Sequence, residues 1–293
     1  MKYAFFPGCS MESTAEDFKM STLAVAKALR IELEEIPDWT CCGSTPAHAT
    51  DALLAASLAA RNLAIAESMG LDVVTCCAAC YSRLAAANLA ISEDPKLRAD
   101  VADAIGTDYA GGVRVRHFLQ ALNDDIGLSE IRDAVVSELH GLKVACYYGC
   151  LLTRPKELSI LSLSKGADSE DPQVMEEMLA AVGAEPIEWP YKTECCGASF
   201  SITRTETVKR LSGEILRMAK ASGAECIAVA CPLCQTNLDL RQSDIEAATG
   251  EKIGLPVFYF TQLLGRAMGI ADSELGMGKL MTDPSAVLAR LNR

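Results

Sequence analysis

The sequence predicts an α/β protein made of two pseudo-repeated cysteine-rich domains, each a small, mostly parallel sheet flanked by helices. Three observations predict it. The 293-residue chain states its own cysteine spacing twice. In both copies, short apolar β-branched runs alternate with longer helical stretches, the pattern of parallel α/β units. Half of the residues are hydrophobic, enough to bury a core in each copy.

The repeat sets the order of elements. "KYAFFPGCSMES" lies on "KVACYYGCLLTR", placing Gly8 on Gly149 and Cys9 on Cys150. "DWTCCGS" lies on "KTECCGA", placing Cys41 and Cys42 on Cys195 and Cys196. "DVVTCCAACYSRL" lies on "CIAVACPLCQTNL", placing Cys77 on Cys231 and Cys80 on Cys234. The step of 35 residues from Cys42 to Cys77 recurs from Cys196 to Cys231. The first step is 32 residues in one half and 45 in the other, a 13-residue insertion. "VRVRHFLQAL" and "LPVFYFTQLL" extend the match past the cysteines.

"KYAFF" and "GLKVACYY" read as buried strands, and "IELEEIP" and "AEPIEWP" as short extended segments. "LDVVTCC" and "ECIAVAC" are bounded by turns and read as central parallel strands. Helices are expected over 15–29, 51–69 and 80–90, then over 172–182, 205–221 and 234–248. Gly70, Gly183 and Gly223 stand where helices should stop, and Asp171-Pro172 where one should start. The join near "SELHGLK" divides the chain into 1–140 and 141–293.

A net charge of −12 and a pI near 4.8 argue against nucleic acid or an anionic membrane surface as partner. The opening "MKYAFFPGCS" is too short and too broken for a signal segment. "ALLAASLAARNLAIAESMG" is interrupted by Arg61, Asn62 and Glu67, so it reads as a buried helix. The expectation is a cytoplasmic protein that is not integral to a membrane. In a reducing compartment, 13 cysteines point to metal or redox chemistry rather than disulfides.

Each repeated cysteine falls at the end of an expected strand or in the loop after it. That is where parallel α/β proteins bind ligands. Three loops of one half can therefore bring five thiolates to one place. Cys77 and Cys80, like Cys231 and Cys234, enter helices whose positive ends favour thiolates. Gly43 and Gly197 are expected to let the backbone approach a bulky inorganic group. A closed zinc site takes four ligands and leaves the fifth thiol unexplained. Cysteine sets without histidine suit iron–sulfur chemistry, yet the ferredoxin run is absent. Spacing leads as far as a cluster other than a four-ligand cubane.

The pattern Cys9…Cys41-Cys42-Gly43…Cys77-x-x-Cys80 and Cys150…Cys195-Cys196-Gly197…Cys231-x-x-Cys234 resembles the doubled cysteine-rich CCG domain of the heterodisulfide reductase B subunit. The resemblance covers nearly the whole chain. It implies a noncubane [4Fe-4S] cluster on each five-cysteine set and a small-molecule disulfide split between the two clusters. It further implies two partners in a heterodisulfide reductase-like complex, a ferredoxin-like iron–sulfur C subunit together with a flavin-containing A subunit. Gly43 and Leu151 stand where methanogen members carry proline and histidine. In this the chain is similar to bacterial-type variants, and a proton donor at position 151 is missing.

Outside the ten cysteines, His48 follows the first pair and reads as a proton donor or as a solvent-facing helix-start residue. Arg83, Arg154, Lys192 and Arg204 border the cysteine loops, where a substrate carboxylate or phosphate would need donors, although loop cations are commonly just solvated. His117 aligns with Tyr259 and reads as packing, as do Tyr81, Tyr147 and Tyr148; His140 falls in the interdomain link. Cys76, Cys146 and Cys226 align in the repeat with Ala230, Phe5 and Asp72 rather than with cysteines and read as small buried residues.

Two readings of function compete. One is an oxidoreductase subunit that reduces, or reversibly forms, a disulfide at paired clusters. The other is an electron-relay subunit with no disulfide chemistry of its own. Two complete cysteine sets and the lack of a ferredoxin run favour the first; a zinc interaction module leaves a cysteine over in each half.

Overall fold

Eight short strands carry the architecture of the computed structural model, which describes residues 1–160 and 168–291. In the first half they are β1 (Lys2–Phe6), β2 (Glu32–Glu35), β3 (Val73–Thr75) and β4 (Val115–His117). The second half has β5 (Lys143–Tyr147), β6 (Glu185–Pro186), β7 (Cys226–Val229) and β8 (Val257–Tyr259). All pairings are parallel, in the order β2-β1-β3-β4 and β6-β5-β7-β8. β3 and β7 are wholly buried, so their β-branched and small residues serve both faces of the sheet. The two sheets repeat one topology, as the sequence predicts.

In this order the chain winds outward from β1 to β2, then returns across β1 to β3. The winding reverses between β1 and β3, and again between β5 and β7. A crevice opens there beyond the carboxyl ends of the strands. Cys9 and Cys150 follow one bank of their crevice, Cys77 and Cys231 the other.

Helices cover both sheets. Glu16–Ala28, Ala52–Ser68 and Thr205–Ala221 form close to where the sequence places them. The Asp51 carboxylate caps Ala52–Ser68 by accepting the Leu54 N–H at 2.7 Å. Gly70, Gly183 and Gly223 take positive φ at the expected helix ends. The expected start at Asp171-Pro172 moves to Val174, and Asp171 instead accepts from the Lys192 ammonium at 2.7 Å.

Two expected helices change shape. The one expected from Cys80 begins at Ala78 and runs to Glu93, with Cys77 at its cap and Cys80 in its first turn. A further helix, Pro95–Ile105, follows at once, capped by Asp94 with Pro95 in its first turn. In the second half, the single helix expected over 234–248 is divided. Pro232–Gln235 leads into a π-helical turn, Thr236–Leu240, and a separate helix, Gln242–Thr249. The wider turn carries Asn237 and Asp239 inward. There Asp239 accepts the backbone N–H groups of Met281 and Thr282, at 2.8 and 2.9 Å.

The halves pack through equivalent pieces. Glu16–Ala28 lies against Phe260–Ala267, and Val174–Ala181 against the short helix Phe118–Ala121. The Phe18 ring stacks on Tyr259 with centroids 4.0 Å apart and planes 7° from parallel. Beside it, Ser21 and Thr261 share a 2.7 Å hydrogen bond. One continuous apolar core spans both halves.

Phe18→Ala removes a fully buried ring from this seam and should cost about 3–5 kcal/mol of stability. Chemical denaturation followed by far-UV circular dichroism checks this; an unmoved midpoint would show that the seam contributes little. His117 gives a second test. Its imidazole is fully buried, with Nε2 donating to the Cys76 carbonyl at 2.8 Å and Nδ1 accepting from the Leu119 N–H at 3.2 Å. Burial pushes its pKa from the usual 6.5 down to about 4. Between those values the unfolded chain binds the extra proton. Stability from this group is therefore complete above about pH 6.5 and is lost towards pH 4, by roughly 3 kcal/mol. His117→Gln should show a fall shallower by that amount in urea midpoints measured from pH 7 to 4.

Candidate functional site

Three loops in each half deliver the sulfurs. Cys9 sits in a four-residue helical turn, Gly8–Met11, directly after β1, where the Ser13 hydroxyl donates to its carbonyl at 2.8 Å. Thr40, just before Cys41, is clamped by the buried Asn62 amide. That amide accepts from the Thr40 N–H at 2.8 Å and donates to its carbonyl at 3.0 Å. In the second half the Lys192 carbonyl accepts from Tyr148 and Gly149, while the Tyr147 hydroxyl donates to the Glu194 carbonyl at 2.7 Å. These bonds tie the Cys150 loop to the strand of chain that leads into Cys195. Cys196 is held through its carbonyl by Ser212 and Asn237, each at 3.2 Å.

The sulfurs then meet in pairs. Cys42 and Cys80 lie 3.5 Å apart, and their equivalents Cys196 and Cys234 lie 3.7 Å apart. Hydrogen bonds also join Cys41 to Cys42, Cys77 to Cys80, Cys150 to Cys195 and Cys231 to Cys234. One more contact crosses the seam: Cys77 and Cys231 hydrogen-bond to each other. The two sets of five thus adjoin at their Cys-x-x-Cys loops. Cys9, Cys41 and Cys195 reach the surface, Cys150 is half-buried, and the remaining six are buried.

Packing thiols this closely lets one donate to the thiolate of the next. The Cys41 thiol, donating to Cys42, holds the latter at about 3, with Cys80 adding to the effect. Cys150 does the same for Cys195, which falls to about 6. The donors Cys41 and Cys150 are pushed up in turn. The fold therefore favours at Cys42, Cys195 and Cys231 the deprotonation that metal binding requires.

The glycines divide their roles differently from the expectation. Gly43 and Gly197 take φ of +80° and +82°, but a Cβ there would strike Ala47 or Val208, each half's own packing, rather than a sulfur. Gly8 and Gly149 are the glycines beside the sulfurs. A Cβ would stand 2.8 Å from the Cys80 sulfur at Gly8 and 3.0 Å from the Cys234 sulfur at Gly149. Both also take positive φ. Their alignment in the repeat was the available signal.

The other candidates scatter. Lys192 is buried and turned inward among Asp171, Glu176 and Glu188, at 2.7, 3.1 and 3.6 Å. Arg154 forks onto Glu170 and reaches Thr193, and Arg204 lies over the Phe200 ring, 5.7 Å from its centroid. Those three side chains are engaged by the protein. Arg83 is half-buried, donates to the Ser82 hydroxyl at 3.3 Å, and is close enough to Cys42 to favour its thiolate. His48 is exposed on the short helix Ser44–Thr50. Cys76, Cys146 and Cys226 are fully buried; burial holds Cys76 up at about 12, and its sulfur meets the Thr22 hydroxyl at 3.5 Å.

The donor set fits an iron–sulfur cluster. Each half brings five thiols. Among the described residues, no three His, Cys, Asp or Glu side chains gather around one point as a single ion would require. A cluster takes its thiolates on different irons around a rim, which suits sulfurs spread in pairs over three loops.

The fold and these paired thiol sets define a doubled cysteine-rich α/β protein. The profile of the CCG cysteine-rich domain matches residues 3–85 and 144–239, and the chain belongs to that family. It is 34% identical over 284 residues to the 8-methylmenaquinol:fumarate reductase membrane anchor subunit of Wolinella succinogenes, covering 96% of this chain and 97% of the relative. It is 30% identical to the B subunit of the ferredoxin/F(420)H(2)-dependent CoB-CoM heterodisulfide reductase of Methanosarcina acetivorans, covering 94% and 92%. A solved structure of a hypothetical protein from Helicobacter pylori shares the fold at 12% identity and a TM-score of 0.76. The alignment spans 96% of this chain and 52% of that one. Among the described residues, no helix is long and apolar enough to cross a membrane.

Gly8→Ala and Gly149→Ala should each halve the iron bound per chain while leaving the fold intact. Gly70→Ala is the control: its φ is also positive, at +70°, but nothing lies within 4 Å of the added Cβ. Equal iron in all three variants would show that room beside Cys80 and Cys234 is not needed.

Proposed function

We propose that this chain is the disulfide-active iron–sulfur subunit of an oxidoreductase complex. It reduces, or reversibly forms, a disulfide or heterodisulfide at two noncubane [4Fe-4S] clusters. Residues 1–140 and 141–293 hold one each. Electrons come from a ferredoxin-like iron–sulfur C subunit together with a flavin-containing A subunit. The observation that carries this reading is the meeting of two equal five-thiol sets across the seam at Cys77 and Cys231. Named heterodisulfide reductase relatives of similar length support it.

Cys9, Cys41, Cys42, Cys77 and Cys80 would hold the first cluster, and Cys150, Cys195, Cys196, Cys231 and Cys234 the second. When bound, such a cluster supplies single electrons and an iron that can accept a sulfur ligand. Splitting one disulfide takes two electrons, and two protons if both products leave as thiols. Two adjoining sites offer a place for each sulfur. The chain's own part is to hold the sulfurs of both sites in register and to move protons. His48, exposed on the helix that follows the Cys41–Cys42 loop, is the candidate donor to a departing thiolate. Arg83 is the cation left to meet a substrate carboxylate or phosphate, since Arg154, Lys192 and Arg204 are engaged within the protein.

The electron-relay reading keeps one specific support. The 34% identical relative is named as a membrane anchor subunit of a fumarate reductase, a name that contains no disulfide. Iron, acid-labile sulfide and EPR spectra of anaerobically purified protein separate the two. About eight irons per chain, with a paramagnetic signal that responds to a particular thiol or disulfide, is the expected result. Eight irons with no response to any thiol would turn the assignment to a relay. Zinc in place of iron, from iron-replete cells, would end both.

A further inference from the structure

The two sites match in their sulfurs and differ in the charge beside them. The register that lays Cys42 on Cys196 and Cys80 on Cys234 also lays Arg83 on Asn237 and Thr40 on Glu194. In the second half the fully buried Asn237 amide donates to the Cys196 sulfur at 3.6 Å, and the Ser201 hydroxyl donates to its oxygen at 2.9 Å. In the first half the same position carries a guanidinium. Its hydrogen-bond partner among the described residues is the Ser82 hydroxyl, and no carboxylate there pairs with it.

The second difference has the same sign. Glu194 places a carboxylate in the residue before Cys195, where Thr40 places a neutral hydroxyl before Cys41. Arg154 also lies near Cys195, but its charge is matched by Glu170. The first site therefore gains a cation and the second gains an anion. Positive charge near the ligand sulfurs makes a thiolate-bound cluster easier to reduce, and negative charge makes it harder. The Asn237 contact to sulfur works the other way, but one long N–H···S contact is weaker than a full charge in a half-buried site.

We propose that the two sites are electronically unequal: the first holds the higher reduction potential, set by Arg83 against Asn237 and by Thr40 against Glu194. When clusters are bound, Cys9, Cys41, Cys42, Cys77 and Cys80 would hold the more readily reduced one, and Cys150, Cys195, Cys196, Cys231 and Cys234 the less readily reduced one. Arg83 and Glu194 are positioning residues here, acting through the cysteine sulfurs. The proposal rests on the two-cluster reading above.

An EPR-monitored potentiometric titration of the full chain, with iron and sulfide measured on the same samples, tests it. The wild type should show two waves. Arg83→Asn, which copies the other half, should lower the upper wave and leave the lower in place. A tenfold change in that site's one-electron equilibrium is a shift of ~59 mV. Glu194→Gln, at an exposed position, should raise the lower wave alone. A single shared wave, or Arg83→Asn acting on the lower wave, overturns the proposal. So does an unmoved pair of waves at full iron content. If Arg83→Asn loses iron, Glu194→Gln decides, and a lower wave that does not rise is fatal. A wild-type chain without iron undoes the two-cluster reading itself, whereas two clusters of indifferent potential undo this proposal alone.

Discussion

The contact between the two halves is the constraint on which the site depends. Each sheet, by its strand order alone, opens a crevice beyond its carboxyl edge and hangs three cysteine loops there. What makes one site of two is the seam, where Phe18 stacks on Tyr259 and the helix Glu16–Ala28 beds against Phe260–Ala267. That packing sets the crevices side by side and brings Cys77 to Cys231. It also presses the Gly8–Met11 turn of one half against Pro232–Gln235 of the other, and Ala78–Glu93 against the turn at Lys156–Leu158. Each half's first cysteine loop is thus steadied by, or close to, the opposite half's Cys-x-x-Cys segment. Neither site is complete in its surroundings without the other half.

Much of this was legible in the sequence because the chain is its own alignment. The recurrence of Cys-Cys-Gly and Cys-x-x-Cys at one spacing marked the same succession of strands and helices in both halves, and the parallel sheets follow from the alternation of apolar runs with helices. The order of strands within each sheet came from the structure. The helix Thr205–Ala221 agrees to the residue because its buried positions, among them Val208, Ser212, Ile215 and Ala219, keep a regular helical period. What escaped was set by tertiary contacts. The π-helical turn at Thr236–Leu240 exists because Asp239 must face the 281–282 backbone, which lies far along the chain. Lys192 reads as a loop cation until the fold surrounds it with three carboxylates from Asp171, Glu176 and Glu188. The reason for Gly8 and Gly149 lies in sulfurs some 70 to 85 positions away, and only the backbone path shows it.

The buried polar groups follow the same division. Asn62, Asn237 and Ser212 are spaced as ordinary helix residues, and nothing local marks them. Each is fully buried and bonded to backbone beside a cysteine pair. An unbonded amide or hydroxyl in such a place would be costly. These residues are therefore committed to shaping the loops, which leaves the sulfurs and the few half-buried charges to differ in chemistry.

The internal duplication carries a consequence of its own. Two separate copies of a single half would be bound to each other by symmetry, and every substitution would appear at both sites at once. A continuous chain lifts that restriction. One half can lengthen the segment between Cys150 and Cys195 while the other stays short, and a guanidinium can stand where its twin position holds an amide. Fusing the repeat into one polypeptide is what permits a left and a right side, and with them a direction.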